Sequence, residues 1–170
     1  MMLTEQKQKF IQAWGTLGGQ WGINKTMAQI HALLLLSEKP LTTEEMMDLL
    51  QISRGNANMN VRALLDWGLV TKEMSPGDRK DFYLAKKDIW LVARQIAKNR
   101  RQRELAPVID LLSEIKSEAK SGSKEEKKEN TELLKRVNDI EDFSLKIDRL
   151  LEKFEKSDEN WFYKVLLKMV

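Results

Sequence analysis

The stretch from Pro40 to Ala85, PLTTEEMMDLLQISRGNANMNVRALLDWGLVTKEMSPGDRKDFYLA, admits few folds. Thr42 and Glu45 form a T-x-x-E capping box, which predicts a helix starting near Thr43. Met46, Met47, Leu49 and Leu50 give that helix an apolar face, and it ends by Gln51-Ile52. Ser53 supplies a second N-cap oxygen, so another helix begins after a tight turn. Along it Ala57, Val61, Leu64 and Leu65 share one face and point inward, and Gly68 is placed to end it in the left-handed conformation. Leu69 to Met74 and Lys80 to Ala85 read as two strands around the turn Ser75-Pro76-Gly77-Asp78-Arg79. Two short helices joined by a turn and followed by a hairpin make a winged helix-turn-helix.

The other face of the second helix, which runs from Arg54 to about Trp67, carries Arg54, Gly55, Asn56, Asn58, Met59 and Arg62. It is polar without being acidic. In a helix laid into the major groove the N-terminal residues meet the base edges. Arginine can hold guanine with two hydrogen bonds, and asparagine can hold adenine in the same way. Gly55 lets a backbone come close to phosphate. A merely solvated face would use polar residues too. Asparagine is a poor helix former, however, and Asn56, Asn58 and Asn60 crowd one short helix. The hairpin puts Arg79 and Lys80 at an exposed tip, with Lys72 on the strand before it, within reach of phosphates or the minor groove.

This segment resembles the MarR superfamily, whose pattern runs PLT…EL…L…S…V…L…GLV…DRR. The block SRGNANMNVRALLDWGLV followed by SPGDRKDFYLA is similar in particular to the GbsR branch, which carries S-[KR]-G-N-x-S-M-N-L-R-x-L-x-x-W-G-L-V and a P-G-D-R-K-D-[YF] wing. Asn58 stands where serine is common there, and Val61 where leucine is common. The resemblance covers roughly residues 3–118; residues 119–170 match only in general helical character. It implies a homodimeric bacterial transcriptional regulator, and some members of the branch answer to osmoprotectants such as choline.

Charge supports a duplex as partner. The chain carries a net +3, unevenly spread. Residues 54–103 hold 12 basic and 5 acidic side chains, net +7, while residues 1–53 are net −1 and residues 104–170 net −3. The positive charge therefore lies on the second helix, the hairpin and the helix after it, the footprint expected of a DNA binder. With no cysteine there is no disulfide, thiol chemistry or cysteine-based zinc site, and the single histidine, His31, reads as structural. The longest apolar run, Ala32 to Leu36, is far too short to span a membrane, so a cytoplasmic location without a membrane partner is expected.

Thr4 caps a first helix in which Phe10, Trp14, Leu17 and Trp21 form an apolar stripe. The same helix holds Gly15, Gly18, Gly19 and Gly22, spaced to let another helix pack tightly. Two readings stand: the helix docks on the winged domain, or Trp14 and Trp21 lie in a dimer seam or beside a ligand. Asn24 caps a helix to about Ser37 that is apolar over most of its circumference and therefore buried. Beyond the hairpin, Asp88 starts a further helix that runs into the basic segment Lys98 to Glu104, which either follows a DNA backbone or serves as a charged spacer. Pro107 predicts a kink or restart near Leu105, with the helix continuing to about Lys120. Ser121-Gly122-Ser123 and the charges to Asn130 read as a linker. Leu133, Val137, Ile140, Ser144, Ile147, Leu151 and Phe154 then follow an a/d pattern over about three heptads, and Ser157 caps a last helix, Asp158 to Met169.

The expectation is a mainly α chain: an N-terminal helix (1–23), a winged helix-turn-helix with a small β-hairpin wing (24–87), a connecting helix (88–120), a linker (121–130) and C-terminal helices for dimerisation (131–170). The dimer seam stays open between the N-terminal and C-terminal helices. The expected function is sequence-specific binding of double-stranded DNA as a homodimeric repressor, with residues 54–67 in the major groove and the wing at 75–80 on the backbone or minor groove. Winged helices also serve as protein-interaction modules, and that alternative predicts no salt-dependent affinity for a duplex. An enzyme is not expected: there is no nucleophile elbow, phosphate loop or metal-ligand cluster, and Glu44-Glu45 sits where helix capping explains it. No cofactor or metal is implied. A small-molecule effector, such as a quaternary amine held by cation–π attraction, would take Trp14, Trp21 and Trp90.

Overall fold

The computed structural model describes residues 3–74, 80–121 and 130–157, which form two compact units divided between Val92 and Ala93. The first unit opens with α1 (Glu5–Gln20), capped by Thr4, and α2 (Lys25–Leu36), capped by Asn24. A two-residue strand β1 (Leu41–Thr42) leads into α3 (Thr43–Leu50), then come α4 (Arg54–Asp66), β2 (Val70–Met74), β3 (Asp81–Ala85) and the start of α5 (Ile89–Arg100). Thr42 and Glu45 make the reciprocal capping box of α3, and Ser53 caps α4. Gly68 is left-handed at φ 69°, and Asp88 accepts from the amides of Trp90 and Leu91 to start α5.

Two details add to the expected outline. β1 pairs antiparallel with β3 (Leu41 opposite Tyr83, Thr42 opposite Phe82), so the wing hairpin is part of a three-stranded sheet in the order β1-β3-β2. Gln51, not a glycine, takes the left-handed position that ends α3, at φ 52°. Its side-chain amide donates to the Asp48 carbonyl at 2.7 Å, which ties the turn between α3 and α4.

α2 is the centre of this unit, with Met27, Ala28, Ile30, His31, Ala32, Leu33 and Leu34 all buried. Its last turn leaves carbonyls that no helix amide can reach. The Lys87 ammonium fills that need, donating to the carbonyls of Leu34 (2.7 Å), Leu35 (2.6 Å) and Ser37 (2.7 Å). A cation there also opposes the negative end of the helix dipole.

α1 docks on α2 differently from what its apolar stripe suggests. The buried residues are Ile11, Gly15 and Gly18, whereas Phe10, Leu17 and Trp21 are exposed, Trp21 by 58%. The glycines let the backbones close in: a Cβ on Gly18 would stand 2.6 Å from the Ala28 Cβ. The stripe is left outside, and Trp14, half-buried, stacks on Phe10 with ring centroids 5.5 Å apart.

In the second unit α5 runs into a π-helical turn (Arg101–Leu105) and then α6 (Ala106–Ser121), followed by α7 (Thr131–Glu155). Pro107 has no amide to give to the carbonyl four residues back. The wider turn absorbs that mismatch, and the α-helix restarts at Ala106, beside the expected position near Leu105. α7 is stapled to this helical run by charge. Arg101 makes two bonds to Asp148 (2.7 and 3.2 Å) and one to Glu155 (3.3 Å), and Lys116 pairs with Glu141. Of the expected heptad seam, Val137 and Ser144 are buried while Leu133 and Ile140 are exposed, alongside Phe143 and Leu150. The seam therefore splits over two faces, one packed and one open. The expected linker lies largely, and the last helix wholly, outside the described residues.

Two stability predictions follow from this packing. Gly18→Ala should destabilise by about 1–3 kcal/mol through overpacking against Ala28. Gly19→Ala, with nothing among the described residues within 4 Å of its Cβ, should instead gain up to about 1 kcal/mol of helix propensity. Denaturant melts of the pair read the difference, and equal effects would sink the account of how α1 docks. His31 is buried, its Nε2 without a hydrogen-bond partner among the described residues. Burial first, and then the Lys87 charge, lower its pKa from 6.5 to about 4, so the ring is neutral when folded. The folded pKa lies below the unfolded one, so this stability is complete above about pH 6.5 and is lost as pH falls toward 4, to a limit of about 3 kcal/mol. The urea midpoint should drop across that window in the wild type, and the drop should be absent in His31→Leu. A flat wild-type profile would contradict it.

Candidate nucleic-acid interface

The chemistry of the first unit concentrates on one surface, built by α3, α4 and the sheet. α4 buries Ala57, Val61 and Leu64, with Leu65 half-buried beside them. That choice of inner face leaves Arg54, Gly55, Met59 and Arg62 exposed and Asn58 half-buried. Met59 is 58% exposed. Among the described residues nothing stands within 4 Å of a Cβ placed on Gly55, so none of them demands a glycine there.

The asparagines divide. Asn60 is only 2% exposed; its amide donates to the Asn56 carbonyl at 2.8 Å and to Asn56 Oδ1 at 2.7 Å. Asn56 in turn donates to Thr26 Oγ1 of α2 at 3.4 Å. This Thr26–Asn56–Asn60 chain is internal: it sets how α4 rolls on α2, and Asn56 reaches the surface only in part. The periodicity held the signal for Asn60, which lies three residues after Ala57 and four before Leu64, on the apolar face.

On the sheet, Lys72 and Lys80 are exposed, whereas Arg79 lies outside the described residues. Lys72 is not bare: its ammonium lies 2.8 Å from the Asp81 carboxylate, and that hydrogen bond raises its pKa. Arg54 likewise stands 3.6 Å from Glu44 of α3. Arg54, Asn58, Lys80, Glu44, Asp81 and Tyr83, with Thr43, line a cleft of about 260 Å³. The alternating charges of this cleft went unread in the sequence, because Glu44 and Asp81 each have a local explanation as a helix-start acid and a strand-end residue.

The basic segment after the wing takes a different part. Arg101 is held by Asp148 and Glu155, Lys98 lies 3.9 Å from Glu155, and Arg94 donates to the Ser157 carbonyl. These cations are partnered within the second unit, so the net positive charge of residues 54–103 overstates the surface available to a polyanion.

The three tryptophans stand in separate settings. Trp14 stacks on Phe10 and lies 6.3 Å from the His31 ring, Trp21 is the exposed C-cap of α1, and Trp90 is half-buried at the start of α5. Among the described residues no group of three acidic, histidine or cysteine side chains could hold a metal ion, and no helix is long and apolar enough to cross a membrane.

Comparison with known proteins finds similar chains. Residues 21–81 match the model of the MarR family. The chain is 26% identical over 171 residues to YvaV of Bacillus subtilis (strain 168), named as an HTH-type transcriptional regulator, with 92% of each chain covered. A crystal structure described as that of a transcriptional regulator superposes with a TM-score of 0.68, covering 89% of this chain and 96% of that one at 14% identity, a likeness of fold.

Proposed function

We propose that this chain, whose winged helix-turn-helix is of the MarR family kind, is a sequence-specific DNA-binding transcriptional regulator that acts as a homodimeric repressor. One observation carries the reading: α4 turns Arg54, Asn58, Met59 and Arg62 outward beside the cations of the hairpin, on the segment that matches the family. With α4 in the major groove, Arg62 and Arg54 suit guanine edges, Asn58 suits adenine, and Met59 offers an apolar contact to a thymine methyl. Lys72, Lys80 and Arg79 suit phosphates or the minor groove, and Gly55 a close phosphate approach. Asn56 takes part by fixing α4 on Thr26. Within the family we place the chain in the GbsR branch, on the block from Ser53 to Val70 and the wing sequence after it.

A pseudo-palindromic operator needs two copies with recognition helices about one turn of DNA apart. The exposed apolar faces support a second copy: Leu133, Ile140, Phe143 and Leu150 along α7, and Phe10, Leu17 and Trp21 on α1. On α7 these residues recur at seven, three and seven, the spacing of a coiled-coil seam. An effector, in this reading a quaternary amine, would use the aromatic faces of Trp14, Trp21 and Trp90.

Fluorescence anisotropy tests the reading. A duplex selected by the protein from a random-sequence pool should bind tightly, weaken steeply with salt and outcompete a scrambled duplex. Arg62→Ala should weaken specific binding by roughly 1–3 kcal/mol, and choline or betaine in the same titration should shift the curve. Equal, salt-insensitive binding to both duplexes would overturn DNA recognition; an unmoved curve would remove only the effector. For the dimer, light scattering should give twice the chain mass for the wild type and one chain mass for Ile140→Lys/Phe143→Lys. A monomeric wild type at micromolar concentration would refute it.

A further inference from the structure

Two carboxylates stand among the cations of the interface, and DNA binding as described above makes no use of them. Glu44 lies in the first turn of α3, where the capping box is already completed by its neighbour Glu45. Its carboxylate instead faces the Arg54 guanidinium at 3.6 Å, across the turn that joins the two helices. Asp81 faces Lys72 at 2.8 Å, across the hairpin. Both acids line the same cleft as Asn58 and Lys80. All four paired side chains are between 43% and 70% exposed. Pairs so open to water contribute little to folding. Their effect is on what the cations can do next.

The two pairs differ in what could replace the carboxylate. Lys72 is a compact ammonium on a strand beside the wing, and the group it would meet on a duplex is a phosphate, which every sequence offers. Arg54 is a planar fork at the N-terminal end of the recognition helix, the part that meets base edges. There it can exchange Glu44 for the O6 and N7 of a guanine, with two hydrogen bonds, where a guanine is present. Where none is present, the only competitor is a phosphate, and an acid beside the guanidinium repels it. Binding to unspecific DNA depends almost wholly on such phosphate contacts. A carboxylate at Arg54 therefore weakens the unspecific complex more than the specific one. A carboxylate at Lys72 weakens both alike.

We infer that Glu44 is a specificity-determining residue: it withholds Arg54 from phosphates, so that a guanine edge, and not the DNA backbone, recruits that arginine. The inference rests on the DNA-binding reading and deepens it. Asp81 is its internal comparison, an acid that tempers affinity without selecting sequence.

The test uses the full-length protein, its selected duplex and a scrambled duplex, by anisotropy at two salt concentrations. Glu44→Gln keeps the capping box and should melt close to the wild type. Its affinity for the scrambled duplex should rise about two- to fivefold, the range open to an exposed pair. Its salt slope on that duplex should steepen by about one phosphate contact, and the preference for the selected duplex should fall. Asp81→Asn should raise both affinities and leave the preference unchanged. The gain must vanish in Glu44→Gln/Arg54→Ala, which ties it to Arg54 and not to fold or net charge. Three results would overturn the inference. A preference unchanged in Glu44→Gln makes Glu44 a generic negative charge. A loss confined to the selected duplex makes it an orienting group or a direct reader of bases. A wild type with no salt-dependent duplex binding removes the DNA reading itself, which the other two outcomes leave standing.

Discussion

The roll of α4 about its own axis is the constraint on which the interface depends. Ala57, Val61 and Leu64 must lie against the core, and a rotation of one position would bury Arg62 or Asn58 in their place. Apolar burial alone fixes such a roll loosely, since neighbouring apolar side chains can slide. The Thr26–Asn56–Asn60 chain narrows it: the Asn56 amide donates to Thr26 of α2, and Asn60, bonded to the Asn56 carbonyl and Oδ1, steadies the Asn56 side chain for that contact. α2 supports this in turn because its last carbonyls are satisfied by Lys87.

Charge is distributed with a similar economy. The basic residues from 54 to 103 form one block in the sequence and serve different ends in space, Lys87 capping α2. Those from Arg94 to Arg101 are spent on the acidic side chains and carbonyls of the second unit, where they hold α7 in place. Among the described residues of α4 and the hairpin, Arg54, Arg62, Lys72 and Lys80 face outward, yet two of them carry an acidic escort. The result is a surface whose cations are distributed singly, next to hydrogen-bonding groups suited to bases, and not a broad polycationic face.

Apolar periodicity proved ambiguous wherever a helix has more than one apolar stripe. On α1 the largest side chains, Phe10, Leu17 and Trp21, suggested the inner face. Close packing against α2 is instead made by Ile11, Gly15 and Gly18, because absent side chains allow the nearer approach. On α7 the a/d pattern drew from two real stripes at once: Val137 and Ser144 on the packed side, Leu133 and Ile140 on the open one. A single helix of three and a half heptads can carry both, since each stripe needs less than half of its circumference.

The winged arrangement was legible in the sequence because its signals are local. A capping box, a serine N-cap and a glycine C-cap each act within four residues, and each fell where expected, while the Pro-Gly turn lies outside the described residues. The polar outer face of α4 was legible for the same reason, from helical period alone. The partnerships made over long sequence distances were decided by the tertiary structure. β1 is too short to show a pattern and exists only because β3, some forty residues on, offers it an edge. Lys87 caps a helix fifty residues earlier, Asn56 finds Thr26 thirty residues back, and Arg101 and Asp148 meet across forty-seven residues. A charge or an amide carries no mark in the sequence of which partner it will find; only the folded chain brings the two within the roughly 3 Å at which they bond.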